Sequence, residues 1–128
     1  MKYRSVFDII GPIMIGPSSS HTAGAARIGK VARSLFRRQP EWVDIHLYGS
    51  FAKTYKGHGT DVAIIGGIMD FETDDERIIR SIEIAEAAGM VIRFFEEVAV
   101  PDHPNTVKIR MGDENSDFRI EEIFKIEG

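Results

Sequence analysis

The stretch Gly16-Pro17-Ser18-Ser19-Ser20-His21-Thr22-Ala23-Gly24 sets the first constraint on the fold. Its residues Ser18 to Thr22 all carry side chains that donate or accept hydrogen bonds. A buried polar group without a partner costs about 1–3 kcal/mol, so such a run is a loop, a helix cap or a site. A helical pattern begins directly after it, with apolar Ala25, Ile28, Val31, Ala32, Leu35 and Phe36, and runs to about Arg38, before Pro40. Ser20 or a neighbour is then a good N-cap. A helix start offers an anion both its free N–H groups and the positive end of the dipole. Two readings stand side by side. One is a carboxylate or phosphate cradle with a histidine in its wall. The other is a well-capped helix start with an incidental histidine. Arg27 is close enough to the loop to reach an anion, and an ordinary solvent-facing helix position explains it as well.

A second stretch repeats the theme. Gly49 to Asp61 is rich in glycine and polar residues, holds His58 between Gly57 and Gly59, and leads into the apolar run Val62-Ala63-Ile64-Ile65. The two glycines allow backbone geometry closed to other residues and let a ligand approach closely. Thr60 or Asp61 can cap the helix that follows. Two helices thus each begin at a polar, glycine-flanked loop carrying one histidine, and their starts can converge on one small anionic ligand.

The rest of the chain supplies the frame. Ser5 to Ile10 reads as a short helix ended by Gly11-Pro12. Trp42 to Tyr48 alternates, with Val43, Ile45 and Leu47 on one side and Asp44, His46 and Tyr48 on the other, a strand with one buried face on which His46 is a surface residue. Gly66-Gly67 weakens or ends the second long helix. Asp74 or Asp75 caps a further helix, Glu76 to Ala88, with Ile78, Ile79, Ile82, Ala85 and Ala88 as its buried stripe and Gly89 as its stop. Met90 to Val100 is a strand, and 101–105 is a loop in which His103 reads as a solvent-exposed turn residue. Thr106 to Met111 and Asp117 to Ile126 pair as a hairpin. The expected fold class is α+β: a mostly antiparallel sheet of about four strands covered on one face by helices.

Composition narrows the function. At 128 residues, with 43% hydrophobic and 28% charged residues, the chain fits one soluble domain spanning 1–128. A net charge of −4 gives a nucleic-acid partner no support, and no apolar run approaches the ~20 residues that cross a bilayer. The absence of cysteine excludes disulfides, thiolate metal sites and a cysteine nucleophile in this chain, and fits a cytoplasmic protein. There is no phosphate-binding P-loop, dinucleotide glycine motif or His-Glu-x-x-His zinc motif. A metal shared by His21 and His58 would have Asp61 as its one nearby carboxylate, so no metal ligand is assigned here. What remains is a small-anion site whose histidines, with ordinary pKa near ~6.5, suit acid–base work.

Gly16 to Gly24, and Tyr48-Gly49-Ser50 with Thr54-Tyr55-Lys56-Gly57-His58-Gly59-Thr60-Asp61, closely resemble the two signature motifs of the iron–sulfur-dependent L-serine dehydratases, in the form of the beta subunit of the two-chain bacterial enzymes. Phe7-Asp8-Ile9-Ile10-Gly11 and His103-Pro104-Asn105-Thr106 are shorter matches, and in motif order the resemblance covers essentially the whole chain. It implies conversion of L-serine to pyruvate and ammonia. It also implies a 4Fe–4S cluster held by a separate, cysteine-containing alpha subunit, with this chain contributing to a shared active site and inactive when isolated. It implies a fold similar to the allosteric substrate-binding domain of some phosphoglycerate dehydrogenases. It gives His21 and His58 acid–base roles and makes Ser18, Ser19, Ser20 and Thr22, with Gly57, Thr60 and Asp61, substrate-binding. Relatives commonly have proline where Ala25 stands and glycine near Tyr55, departures that bear on loop shape. Beta subunits usually continue into a regulatory ACT domain, and the expectation here is a chain without one. The rival reading is a non-catalytic regulatory domain that binds serine or another small anion. A bare partner-facing surface makes homodimerisation of the isolated chain plausible.

Overall fold

A computed structural model describes residues 8–16, 21–54, 59–97, 105–114 and 119–126. Five strands, β1 (Asp8–Ile15), β2 (Trp42–Leu47), β3 (Val91–Glu96), β4 (Thr106–Gly112) and β5 (Arg119–Ile126), form one sheet in the order β1-β5-β4-β2-β3. The helices are α1 (His21–Phe36), α2 (Ser50–Thr54), α3 (Thr60–Ile68) and α4 (Ser81–Ala87), with a 3-10 turn at Glu76–Arg80 leading into α4.

The α+β class and the four strands read from the sequence are present, including the β4–β5 hairpin, but the sheet is five-stranded and mixed. β4 makes both antiparallel pairings, with β2 and β5, whereas β1 with β5 and β2 with β3 are parallel. The fifth strand comes from the segment expected as a short helix. Residues 8–10 belong to β1, and the chain runs through Gly11-Pro12 with a register shift between Ile10 and Ile13 before continuing to Ile15. Strand suits this isoleucine-rich sequence, since β-branched side chains fit a pleated surface and proline is tolerated at an edge or bulge.

Period-two alternation fixes the faces. Val43, Ile45 and Leu47 of β2, Val107, Ile109 and Met111 of β4, and Ile120 and Phe124 of β5 are buried, and the cluster they form includes Ile28, Ala32 and Phe36 of α1. On the other face, charged residues pair across neighbouring strands. Arg93 Nη2 lies 2.8 Å from Asp44 Oδ2, and Arg110 Nε donates to Glu121 Oε1 at 2.6 Å.

The helix pair α1–α3 carries the most consequential correction. Gly66 and Gly67 do not end the second helix, which continues to Ile68. They lie inside it, Gly66 facing Ile78 and Gly67 facing α1. A Cβ on Gly67 would stand 2.5 Å from the Ala26 carbonyl oxygen, and one on Gly29 would stand 2.2 Å from that of Ile64. Only glycine lets the backbones come this close. The two helices run in the same direction: Ala26 to Lys30 meets Ile64 to Gly67, and further along Arg33 Nη1 donates to the Ile68 carbonyl at 2.8 Å. That bond satisfies a carbonyl at the C-terminal end of α3, which no intrahelical N–H reaches.

Asp75 caps the 3-10 turn through the Arg77 N–H at 2.8 Å, and Gly89, at φ 96, follows the end of α4. The apolar stripe expected over 76–88 is only partly inward. Ala85 is buried, but Ile79 is 76% exposed and Ala88 is exposed, because the 3-10 turn breaks the helical phase before Ser81.

Candidate active site

Strand direction assembles the site. β1, β2, β3 and β5 run one way and β4 the other, so the ends of β1, β2, β3 and β5 and the start of β4 share one edge of the sheet. The last turn of α1 lies with Asp8 and Ile10 along one groove at the opposite edge, so α1 begins at the first edge, and the parallel α3 begins beside it. Both residues bounding each of the segments 17–20, 55–58 and 98–104 therefore belong to this end of the molecule. In α/β sheets this is the end at which strand termini and helix N-termini face a ligand.

Thr22 and Gly59 show the approach directly. A Cβ built on Gly59 would lie 3.7 Å from Thr22 Oγ1, so the first turn of α1 and the N-cap of α3 are in van der Waals reach. The cap differs from the sequence expectation. Gly59, at φ 82, is the N-cap of α3, with no side-chain cap bond, and Thr60 and Asp61 are the first residues inside the helix. A glycine there adopts the left-handed conformation without steric penalty and leaves no side chain over the helix end. Asp61 instead accepts from the Val62 N–H through Oδ1 at 2.8 Å. Thr60 is fully buried, and its Oγ1 has no hydrogen-bond partner among the described residues. The first turn of α1 carries no acidic residue, so nothing there offsets the positive end of its dipole.

The expected site residues divide as follows. His21 opens α1 and Thr22 follows it, exposed; Thr60 and Asp61 open α3. Ser18, Ser19, Ser20, Gly57 and His58 lie outside the described residues, as does His103. Since α1 begins at His21, Ser20 is the residue that precedes it. Arg27 is exposed on α1. His46, read as a surface residue, is half-buried: its Nδ1 is 2.7 Å from Glu97 Oε2, and its ring stacks on Phe95 with centroids 4.7 Å apart. No sequence signal marks that pairing, because Glu97 comes from the far end of β3.

A cluster ligated by thiolates does not fit this chain, which has no cysteine. Among the described residues no group of three histidine or carboxylate side chains gathers to hold a metal, and no helix is long and apolar enough to cross a membrane.

A family model described as serine dehydratase beta chain matches residues 5–128. A probable L-serine dehydratase beta chain of Bacillus subtilis is 69% identical over 120 residues, covering 94% of this chain and 54% of the relative. The L-serine dehydratase beta chain of Peptoniphilus asaccharolyticus is 51% identical over 111 residues, covering 85% of this chain and 50% of the relative. An L-serine dehydratase of Haemophilus influenzae is 30% identical over 118 residues, covering 88% and 24%. The chain therefore spans about half the length of the two beta chains it matches.

Proposed function

The chain belongs to the serine dehydratase beta chain family, and from that premise we propose that it is the beta subunit of an enzyme converting L-serine to pyruvate and ammonia. The observation that carries the reading is the meeting of Thr22 and Gly59, which sets two helix N-termini side by side with the unpartnered Thr60 hydroxyl at the start of one of them. Two such termini suit the carboxylate of an amino acid, by N–H donation and by the dipole.

The reaction removes the Cα proton and the β-hydroxyl as water, leaving 2-aminoacrylate, whose imine tautomer is hydrolysed to pyruvate and ammonia. In this reading Ser18, Ser19, Ser20 and Thr22, with Gly57, Thr60 and Asp61, hold and orient the substrate. His21 and His58 divide the proton work: one takes the Cα proton, the other gives a proton to the departing hydroxyl. An imidazole near its ordinary pKa suits both tasks, and one positioned acid or base contributes about 10²–10⁴-fold. The 4Fe–4S cluster of the reading belongs to a separate cysteine-bearing alpha subunit, and the roles assigned here are confined to this chain. A fold like the allosteric substrate-binding domain of phosphoglycerate dehydrogenases, a cytoplasmic setting and a single domain over 1–128 are parts of the same proposal.

The test is anaerobic reconstitution with the cysteine-bearing subunit, following pyruvate from L-serine. The proposal expects activity only when both chains are present. Activity from the partner alone would leave this chain a non-catalytic domain binding serine or another small anion.

A further inference from the structure

Glu122 occupies a place where a carboxylate is not normally kept. It lies on the helix-covered face of β5, between Ile120 and Phe124 on its own strand, with Ile109 of β4 and Ile10 of β1 opposite it in register. It is fully buried, and neither carboxyl oxygen has a hydrogen-bond partner among the described residues. The neighbouring elements bring it little charge. β4 presents Val107, Ile109 and Met111 on this face. β1 presents Asp8, exposed at its start and in register with Ile120. On α1, Lys30 and Arg33 are engaged with the α3 side, through Glu72 and the Ile68 carbonyl. At its end Arg38 pairs with Asp113, and Arg37 is exposed. Ionisation here would forfeit hydration without a compensating partner. Burial accordingly pushes the Glu122 carboxyl from 4.5 up to about 8.

The wall over Glu122 is one edge of the sheet. β1 is an edge strand with Ile9 64% and Met14 52% exposed. Its register slips between Ile10 and Ile13, opposite Glu122 to Phe124. A groove of about 690 Å³ separates the start of β1 from the end of α1, and Ile10 and Ile120, both neighbours of Glu122 on that face, line it with Leu35 and Phe36.

We propose that Glu122 is a proton-operated latch on β1: as a neutral acid it lies in the core and β1 stays zipped to β5, and on losing its proton to solvent it draws water in past Ile10 and loosens β1. The inference concerns this chain's own fold and does not depend on the proposed reaction. A carboxyl whose folded value is raised stabilises the closed state below its unfolded value, and that stabilisation is lost as pH rises through the folded value. Opening should therefore become about tenfold more favourable per pH unit between roughly pH 5 and 8, and level off above.

Amide hydrogen exchange on the full chain, corrected for the intrinsic pH dependence of exchange, reads this directly. In the wild type, protection over residues 8–15 should fall about tenfold per pH unit across that window, while α4 stays unchanged. In Glu122→Gln, which keeps shape but cannot ionise, β1 protection should be flat. A flat wild-type profile, or the same slope in Glu122→Gln, overturns the proposal. A carboxyl-carbon NMR titration of the wild type needs no variant. A Glu122 midpoint near 4.5 overturns it too, and one well above that supports it.

Discussion

Gly29 of α1 and Gly67 of α3 meet backbone to backbone: a Cβ on Gly29 would lie 3.0 Å from the Gly67 Cα. This contact holds the two helices parallel, so their N-termini reach the same edge of the sheet and Thr22 comes to lie beside Gly59. Helix packing is thereby the physical cause of the site.

Gly29→Ala should be strongly destabilising. Alanine gains about 1 kcal/mol in helix propensity, but its Cβ meets the Ile64 carbonyl oxygen at 2.2 Å, and backbone cannot swing aside. Overpacking of this kind costs roughly 3 kcal/mol or more, so the net loss is about 2 kcal/mol or more. For a domain of this size the melting temperature should fall by roughly 10 °C in a thermal scan. An unchanged midpoint would mean that the crossing is looser than the structure has it.

Much of this frame was legible in the sequence, for reasons that particular residues make plain. Val43, Ile45 and Leu47 announce a half-buried strand by alternation alone, and Ile28, Ala32 and Phe36 announce the buried face of α1. What failed was non-local. Asp8 to Ile10 were read as helix because their strand partner, 120–122, lies more than a hundred residues away. Gly66-Gly67 read as weakening or ending the helix because a sequence cannot show another backbone approaching. Glu122 was signalled in part: with Ile120 and Phe124 at period two, one of the adjacent acids Glu121 and Glu122 had to share their face. The candidate site was legible as two glycine-flanked polar loops before two helices. The cap at Gly59 and the unpartnered Thr60 hydroxyl needed three dimensions.

Gly59→Ala tests the cap of α3. The site has room for a methyl group, with the nearest atom at 3.7 Å, but φ is 82, where a Cβ costs about 1–2 kcal/mol. A stability loss of that size is expected, largely recovered in Gly59→Asn, because asparagine tolerates the left-handed region. Equal losses in the two variants would place the cost in crowding against Thr22.

Thr60→Val separates fold from function. Valine fills the same space and removes a buried hydroxyl that has no partner, so stability should hold or rise by about 1 kcal/mol. If the hydroxyl serves the substrate carboxylate, kcat/KM for L-serine in the reconstituted enzyme should fall roughly 10- to 100-fold, the worth of a hydrogen bond to a charged group. Loss of stability without loss of activity would give Thr60 a structural role instead.

Acid should act on one exposed turn. The Arg77 side chain and backbone N–H hold the Asp75 carboxyl down at about 2, against an ordinary 3.8. A carboxyl lowered in this way stabilises above its unfolded value and loses that contribution as pH falls through the folded one. Exchange protection of the Arg77 amide should therefore decline progressively from about pH 4 to about pH 2. Protection that stays unchanged across that window would contradict the pairing.

The most direct measurement of the central claim is pyruvate formation from L-serine by the anaerobically reconstituted two-chain enzyme carrying His21→Ala or His58→Ala. If His21 and His58 divide the proton work, each variant should lose at least about 100-fold, with the fold intact. Near-full activity in either variant would contradict that division of the proton work, and in both it would place the chemistry elsewhere.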